Sequence, residues 1–263
     1  MAKEILKVSK EYWETRLPQR WYSKKEYGTD EYWDEITRKR YTVFFPYMYK
    51  ISEFREHPGE KVLEIGVGVG TDLLQFAKRG SLCTGIDLTE TAIKTTKERF
   101  RRAKLEADLR TANAEQLPFK DNTFDIVYSS GVIHHVPDME KAISEIHRVL
   151  RPGGKAILWF YGKDWKYYFW FPFYGFLQGH FPKENLNQLA HRYMEVEGNV
   201  PIVRMFRKRE ILSYFKAFSK AKTYNHRGYG QSLGKRFYVL NKAFAAVMNV
   251  LFPYNGWVIK AVK

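Results

Sequence analysis

Three glycines at alternate positions, Gly66, Gly68 and Gly70, follow the apolar run VLEI at residues 62–65. Glycine lets a ligand lie directly against the backbone and allows the positive φ angles that a tight turn after a strand can require. Asp87 ends the next apolar run, 21 positions after Gly66, where a carboxylate can accept hydrogen bonds from both hydroxyls of an adenosine ribose. These residue types at this spacing predict a binding site for an adenosine-containing cofactor.

The glycine turn by itself accommodates either NAD or S-adenosylmethionine. In the dinucleotide fingerprint the third glycine lies three positions after the second, and Thr71 occupies that position here. S-adenosylmethionine has no phosphate, so its turn need only offer backbone amides to one carboxylate. No Lys or Arg lies within residues 62–76, which favours S-adenosylmethionine.

Further motifs follow in a fixed order: ANAEQLPF at residues 112–119, NTFDIVYSSGVIHHVPD at 122–138 and VLRPGGKAIL at 149–158. With the glycine turn, this series resembles the class I S-adenosylmethionine-dependent methyltransferases. Within that class it is similar to the small-molecule enzymes of ubiquinone and menaquinone biosynthesis. The resemblance covers about residues 60–160 and implies S-adenosylmethionine as cofactor, with S-adenosylhomocysteine as product.

The resemblance also implies roles for individual residues. Glu64 would orient the methionine part of the cofactor, and Asp87 would bind the ribose. Asn113 stands where the family usually has Asp, so a bond to the adenine amino group would use an amide oxygen here. The cofactor-binding candidates are Glu64, Gly66, Gly68, Gly70, Asp87, Leu88, Asn113, Ala114, Glu115, Ser129 and Ser130.

Catalytic candidates follow the fourth predicted strand, where His134 and His135 can act as a base or orient an acceptor. The alternative is that the pair only packs the loop before Pro137. Tyr41 is a third catalytic candidate. In enzymes of this family the acceptor pocket is built from the N-terminal helix and the insert after the fifth strand, which here are rich in aromatic residues. The substrate-binding candidates are Trp33, Tyr41, Phe45, Trp165, Tyr168 and Arg204, the last for an acidic group of the substrate.

Predicted strands and helices alternate from residue 61 to residue 161, which indicates a parallel sheet covered on both faces. We therefore predict an α/β, Rossmann-like, doubly wound fold. The resemblance implies seven strands, with residues 256–262 as an antiparallel last strand. A single domain would comprise a helical lid (1–58), a cofactor-binding core (59–161), an aromatic cap insert (162–206) and a C-terminal part (207–263) with a basic, apolar insertion.

The net charge of +15 is concentrated after residue 161, where 17 Lys and Arg face 5 Asp and Glu. This asymmetry indicates an anionic partner or only a solubilising surface. Uncharged runs at residues 167–182 and 243–259 are shorter than the about 18–20 apolar residues of a membrane span. The first 14 residues hold no apolar run of signal-peptide length, which predicts a cytoplasmic protein. Peripheral contact with an anionic membrane would use the aromatic and basic residues.

Three function classes follow. The first is a methyltransferase for a hydrophobic, aromatic or lipid-like small molecule. The second is an RNA or DNA methyltransferase, suggested by the pI of 9.6, but the chain lacks the Asp/Asn-Pro-Pro-aromatic motif and its one cysteine, Cys83, lies inside a predicted strand. The third is an inactive cofactor-binding protein or a nicotinamide-dependent enzyme. No metal site is predicted, because the adjacent histidines lack a third ligand at useful spacing.

Overall fold

The computed structural model describes residues 2–16, 19–163, 166–193, 200–226 and 256–263. Its centre is a seven-stranded sheet with the order β3-β2-β1-β4-β5-β7-β6. β7 runs antiparallel to both of its neighbours, β5 and β6, and the other pairs are parallel. The strands are β1 Lys61–Ile65, β2 Leu82–Asp87, β3 Asp108–Thr111, β4 Phe124–Ser130, β5 Leu150–Tyr161, β6 Lys220–His226 and β7 Gly256–Val262.

Helices cover both faces of the sheet, each over its own apolar cluster. Leu73 and Phe100 belong to the cluster on one face, and Ile143 and Ile211 belong to the cluster on the other. The doubly wound fold and the antiparallel last strand are therefore confirmed. The helices are α1 Ala2–Thr15, α2 Asp30–Lys39, α3 Met48–Ile51, α4 Thr71–Ala77, α5 Glu90–Arg102, α6 Met139–Val149, α7 Phe171–Leu177, α8 Leu186–Tyr193 and α9 Lys208–Leu212.

Side-chain caps fix where the two longest helices of the core begin. The Thr89 hydroxyl accepts a hydrogen bond from Ala92 N at the start of α5, and the Asp138 carboxylate accepts one from Lys141 N at the start of α6. Each cap satisfies an amide that has no partner within its helix. α5 begins after the end of β2, and α6 begins after the loop that follows β4. The polar loops therefore lie together at the carboxyl ends of the parallel strands.

The region predicted as a helical lid consists of several separate helical elements. After α2 the chain forms a π-helical turn, Arg40–Phe44, and α3 is short. α1 lies within the region predicted as a helical lid, although its own bounds were not predicted. Trp165 and the insertion at residues 227–255 lie outside the described residues. No helix in the described part of the chain is long and apolar enough to cross a membrane.

Candidate active site

The glycine turn lies at the carboxyl end of β1. All three glycines have positive φ: 80° at Gly66, 53° at Gly68 and 72° at Gly70. A Cβ on Gly66 would lie 2.2 Å from a methyl group of Val132, and one on Gly70 would lie 2.7 Å from Thr96. A Cβ on Gly68 would meet no atom within 4 Å. Gly66 and Gly70 therefore serve close packing, whereas Gly68 borders open space.

Asp87 joins this turn to the end of β2. Gly68 N–H donates to Asp87 Oδ2 at 3.0 Å, while the amide and hydroxyl of Thr89 donate to Oδ1 at 3.0 and 2.8 Å. Burial raises the pKa of Asp87, and these hydrogen bonds oppose the rise. The half-buried carboxylate is thus fixed beside the open space at Gly68, which fits a ribose-binding role.

Glu64 lies in β1 directly before the turn, and its side chain is buried. Its Oε2 atom has no hydrogen-bond partner among the described residues. Burial first, and the negative charge of Asp72 second, raise the pKa of Glu64 well above its ordinary value. A buried acid with one unsatisfied oxygen fits a site that a polar ligand completes.

Arg40 and Asp72 form a buried ion pair close to the turn. Arg40 Nε donates to Asp72 Oδ1 at 2.6 Å, and Arg40 Nη2 donates to the second oxygen. The hydroxyls of Tyr41 and Tyr128 also donate to Asp72, at 2.5 and 2.9 Å. Burial alone would raise the pKa of Asp72, but the Arg40 charge and these hydrogen bonds hold it below its ordinary value. Arg40 Nη2 also donates to Ser130 Oγ at 3.1 Å.

Sequence reasoning missed Arg40 and Asp72 and selected their neighbour, Tyr41, as a catalytic candidate. The Tyr41 hydroxyl is bound to Asp72, and burial together with that charge raises its pKa well above 10. The sequence held one signal for Asp72: it is an acid two positions after Gly70, at the start of a predicted helix. An acidic residue in the first turn of a helix stabilises that helix. The buried partner of Asp72 could not be read from the sequence.

Side chains predicted near adenine and methionine already bond within the protein. Asn113 Oδ1 accepts from Glu115 N at 3.0 Å, and Glu115 Oε1 accepts from Asp138 N at 2.8 Å. Ser129 Oγ donates to the Ile65 carbonyl at 2.8 Å and is buried, whereas Ser130 is half-buried beside Arg40. Ala114 is buried and Leu88 is half-buried.

The two histidines form a short 3₁₀ turn after β4 but have different surroundings. His134 is fully buried, and neither of its ring nitrogens has a partner among the described residues. Burial lowers the pKa of His134 well below 6.5, so its ring is neutral. His135 Nδ1 lies 2.6 Å from the Ile202 carbonyl. Because a carbonyl only accepts, this contact places the proton on Nδ1.

Aromatic rings from α1 and β5 surround the histidines. The Trp13 ring centroid lies 5.3 Å from that of His135, and the Tyr161 centroid lies 4.2 Å from that of His134. Phe45, a predicted pocket residue, packs edge-to-face on Trp159 at 5.6 Å. Trp13, Trp159 and Tyr161 thus join the site without having been named as candidates for it.

The other predicted substrate residues lie apart from one another. Trp33 is buried in the lid with the Arg99 guanidinium 4.7 Å from its ring centroid. Tyr168 is exposed, and its hydroxyl accepts from Arg207 Nε at 2.8 Å. Arg204 donates to the carbonyls of Val136 and Pro137 at 2.6 and 2.8 Å, so it holds the loop after the histidines.

The described residues give no support to a cysteine nucleophile or to a metal site. Cys83 is buried within β2, and burial raises the pKa of its thiol to about 12, which is unsuitable for a nucleophile. Within the described ranges, no group of three or more His, Cys, Asp or Glu side chains is placed to hold a metal ion.

Comparison with known proteins identifies the domain. Residues 63–158 match the model of a methyltransferase domain. The chain contains a class I methyltransferase domain. The recognition made from the motifs is confirmed, and it implies S-adenosylmethionine as the cofactor. The open space at Gly68, the carboxylate of Asp87 and the unsatisfied oxygen of Glu64 fit that cofactor.

Relatives of the methyltransferase domain differ in the acceptor that their names give. Phosphoethanolamine N-methyltransferase 2 of Caenorhabditis elegans is 38% identical over 110 residues, which are 41% of this chain and 25% of that protein. The ubiquinone/menaquinone biosynthesis C-methyltransferase of Cupriavidus taiwanensis is 30% identical over 122 residues, 45% of this chain and 50% of that protein. The chain therefore matches between a quarter and a half of the length of these relatives.

Solved structures agree with the fold of the methyltransferase domain. A S-adenosylmethionine-dependent methyltransferase from Methanosarcina mazei aligns with a TM-score of 0.58 and 22% identity. The alignment covers 84% of this chain and 98% of that chain. At this identity the likeness establishes the architecture of the sheet and helices.

Proposed function

We propose that the protein transfers a methyl group from S-adenosylmethionine to a hydrophobic, aromatic or lipid-like small molecule in the cytoplasm, at a membrane surface. The observation that carries the proposal is the Gly68–Asp87 hydrogen bond, which fixes a carboxylate beside an open glycine backbone. The names of the relatives support a small-molecule acceptor, and the quinone-pathway methyltransferase supports a hydrophobic one, whereas phosphoethanolamine is small and polar. Their acceptor atoms differ, one N and one C, so this proposal names no acceptor atom.

Cofactor binding would use the two strand ends described above. Asp87 would accept hydrogen bonds from the ribose hydroxyls, and the backbone at Gly68 would lie against the cofactor. Glu64, which is buried with one unsatisfied oxygen, would bond to the amino-acid part of the cofactor. When bound, S-adenosylmethionine would supply an activated methyl group: an acceptor atom would bond to this methyl in line as its bond to sulfur breaks, with S-adenosylhomocysteine as the leaving group.

His135 is the better base of the two histidines. Its proton lies on Nδ1, bound to the Ile202 carbonyl, which leaves the lone pair on Nε2. Nε2 would take the proton of the acceptor as the methyl group is transferred. His134 is fully buried against Tyr161 and would support the ring of His135 by packing, with centroids 4.2 Å apart.

The N-terminal helix would exclude water from the reaction. Trp13 of α1 contacts His135, and Glu14, also in α1, accepts hydrogen bonds from Thr91 N and Oγ1 at the start of α5. α1 therefore connects the histidine side of the site with the strand end that holds Asp87. Removing water strengthens the electrostatic interactions of a methyl transfer and prevents side reactions.

The test is a calorimetric titration of the purified protein with S-adenosylmethionine, S-adenosylhomocysteine and NAD. We expect micromolar binding of both sulfur compounds and none of NAD, with binding lost in Asp87→Ala. Asp108→Ala is the matched control, because the side chain of Asp108 is exposed at the edge of the sheet and bonds to the neighbouring Arg110. Binding of NAD alone would refute the proposal. Positive binding leads to a screen of lipid-like acceptors with a labelled methyl donor.

A further inference from the structure

The helical segment 166–177 presents large apolar side chains on two opposite sides. It consists of a π-helical turn, Lys166–Trp170, that continues into α7. On one side Tyr167, Phe171 and Gly175 are buried. The opposite side, called here the outer aromatic face, consists of Phe169, Phe173, Phe176 and Leu177, which are exposed by 56, 47, 67 and 54%. Helical spacing places these four side chains within one arc of about 100°.

The buried side packs this segment against the rest of the cap. Tyr167 and Phe171 pack with Leu189 and Met205, and a Cβ on Gly175 would lie 2.8 Å from Leu189. The outer aromatic face adds nothing to this cluster. A helix that is apolar on both sides is typical of the interior of a large core or of contact with lipid, and soluble monomers rarely expose such a contiguous patch.

The charged residues of the described ranges 166–193 and 200–216 are predominantly basic. Residues 166–193 and 200–216 contain two carboxylates, Glu184 and Glu210, and the structure pairs them with Arg192 and Lys163. The basic residues Lys183, Arg207, Lys208 and Arg209 are exposed. The Arg207 side chain is held at the exposed ring of Tyr168, one position before Phe169. Apolar rings next to such cations complement an anionic lipid surface.

We propose that the outer aromatic face inserts into the surface of a membrane containing anionic lipid, with the neighbouring Lys and Arg side chains at the headgroups. The four side chains carry no hydrogen-bonding group, which suits acyl chains better than the mixed polar surface of a protein partner. The inference rests on the proposed function, since a lipid-like acceptor would then enter from the same surface. The connection is short: the buried cluster of this cap packs against Tyr161, which contacts His134.

The test is sedimentation of the full chain with two kinds of vesicle. One kind contains phosphatidylcholine alone, and the other contains equal amounts of phosphatidylcholine and phosphatidylglycerol. We expect binding to the anionic vesicles that weakens as salt rises. The double variant Phe173→Ser/Phe176→Ser should bind at least about tenfold more weakly, because two rings no longer leave water.

The matched control is Leu82→Ser/Val8→Ser, which removes two exposed apolar side chains at 58 and 44% exposure outside the cap. It should bind vesicles as the unmodified protein does. Both double variants should keep the affinity for S-adenosylhomocysteine, which shows that they are folded. Equal loss in both would mean that exposed apolar area anywhere promotes binding, which refutes a role for this face.

Three further outcomes would overturn the proposal. They are an absence of binding to anionic vesicles, unchanged binding by Phe173→Ser/Phe176→Ser, and a stable dimer in sedimentation equilibrium without vesicles that Phe173→Ser/Phe176→Ser abolishes. Such a dimer would mean that a second copy of the chain covers the face. Binding of S-adenosylhomocysteine without vesicle binding would refute this inference alone. Vesicle binding without binding of S-adenosylhomocysteine would refute the proposed function but not the membrane contact of the outer aromatic face.

Discussion

Arg40 and Asp72 form a buried ion pair that joins the helical segment before the sheet to the first turn of α4. Their side chains are exposed by 6 and 2%. The pair lies beside Ser130 at the end of β4, so it connects the lid to two of the strand ends that form the cofactor site. Because both charges are removed from water, loss of either one leaves the other without compensation.

The first prediction concerns stability. Asp72→Asn leaves the Arg40 charge buried without a counter-ion, and it should lower the free energy of unfolding by about 3–5 kcal/mol. Asp108→Asn breaks an ion pair with Arg110 that is about half exposed, and it should cost less than about 1 kcal/mol. Urea denaturation at neutral pH measures both. A similar small cost for the two variants would show that the buried pair is not formed in solution.

The second prediction separates cofactor binding from lid packing. Arg40→Lys keeps the positive charge but loses the planar guanidinium group, which donates hydrogen bonds to both Asp72 and Ser130. Because Ser130 is predicted beside the amino-acid end of the cofactor, affinity for S-adenosylhomocysteine should fall about tenfold or more. Affinity for methylthioadenosine, which lacks that end, should change much less. Equal losses for the two ligands would mean that Arg40 acts only by holding the lid.

Local patterns predicted much of the sheet and part of the site. The strand predicted at residues 256–262 agrees with β7, and the alternation predicted over residues 61–161 contains β1 to β5. These strands have apolar or alternating patterns that a sheet requires. α1 was assigned only to the helical lid, without bounds of its own, because most of its residues are polar and its contacts, such as Glu14 with Thr91, join positions far apart in the chain. The Arg40–Asp72 pair was missed for the same reason.

The direction of side chains at the ends of strands was the other feature that the sequence did not predict. Ser129 and Ser130 were predicted as equivalent, yet successive residues of a strand point to opposite faces. Ser129 turns toward the Ile65 carbonyl and Ser130 toward Arg40. Gly68 and Asp87 were found because glycine spacing and a strand-final carboxylate are properties of the sequence itself.

The third prediction compares two glycines of the turn. In Gly66→Ala the new methyl group would clash with Val132, so the variant should lose about 1–3 kcal/mol more stability than Gly68→Ala. Gly68→Ala meets no protein atom and should mainly weaken S-adenosylhomocysteine binding. Urea denaturation and calorimetry of both variants measure the two effects. Unchanged binding by Gly68→Ala would place the cofactor elsewhere.

The fourth prediction concerns pH. His57 lies between Glu53 and Glu60, with Nε2 to Glu53 at 3.1 Å and Nδ1 to Glu60 at 2.7 Å, while Lys155 and Lys260 also bond Glu53. Burial opposes protonation of His57, but the two carboxylates outweigh it and raise its pKa. Its contribution to stability is therefore complete below the unfolded pKa of about 6.5 and is lost as pH rises through the higher folded value.

His57→Gln should therefore flatten the fall in unfolding free energy above about pH 6.5, as urea denaturation over a pH series would measure. His134 acts in the opposite direction and below that window, because its pKa is lowered by burial. His134→Phe should leave the slope above this pH unchanged and is the control. An equal slope in His57→Gln and the unmodified protein would contradict the assignment.

The last prediction tests which histidine moves a proton. His135→Phe removes Nε2 as base, and it should lower kcat about 10²-fold or more while leaving the affinity for S-adenosylhomocysteine unchanged. It should also abolish the acid limb of the profile of kcat/KM against pH, because that limb reports protonation of the base. His134→Phe preserves an aromatic ring packed on Tyr161 and should retain that limb, with a small change in kcat. Loss of the limb in His134→Phe rather than His135→Phe would reverse the assignment. If both variants kept it, neither histidine would be the base, and the pair would only shape the loop after β4.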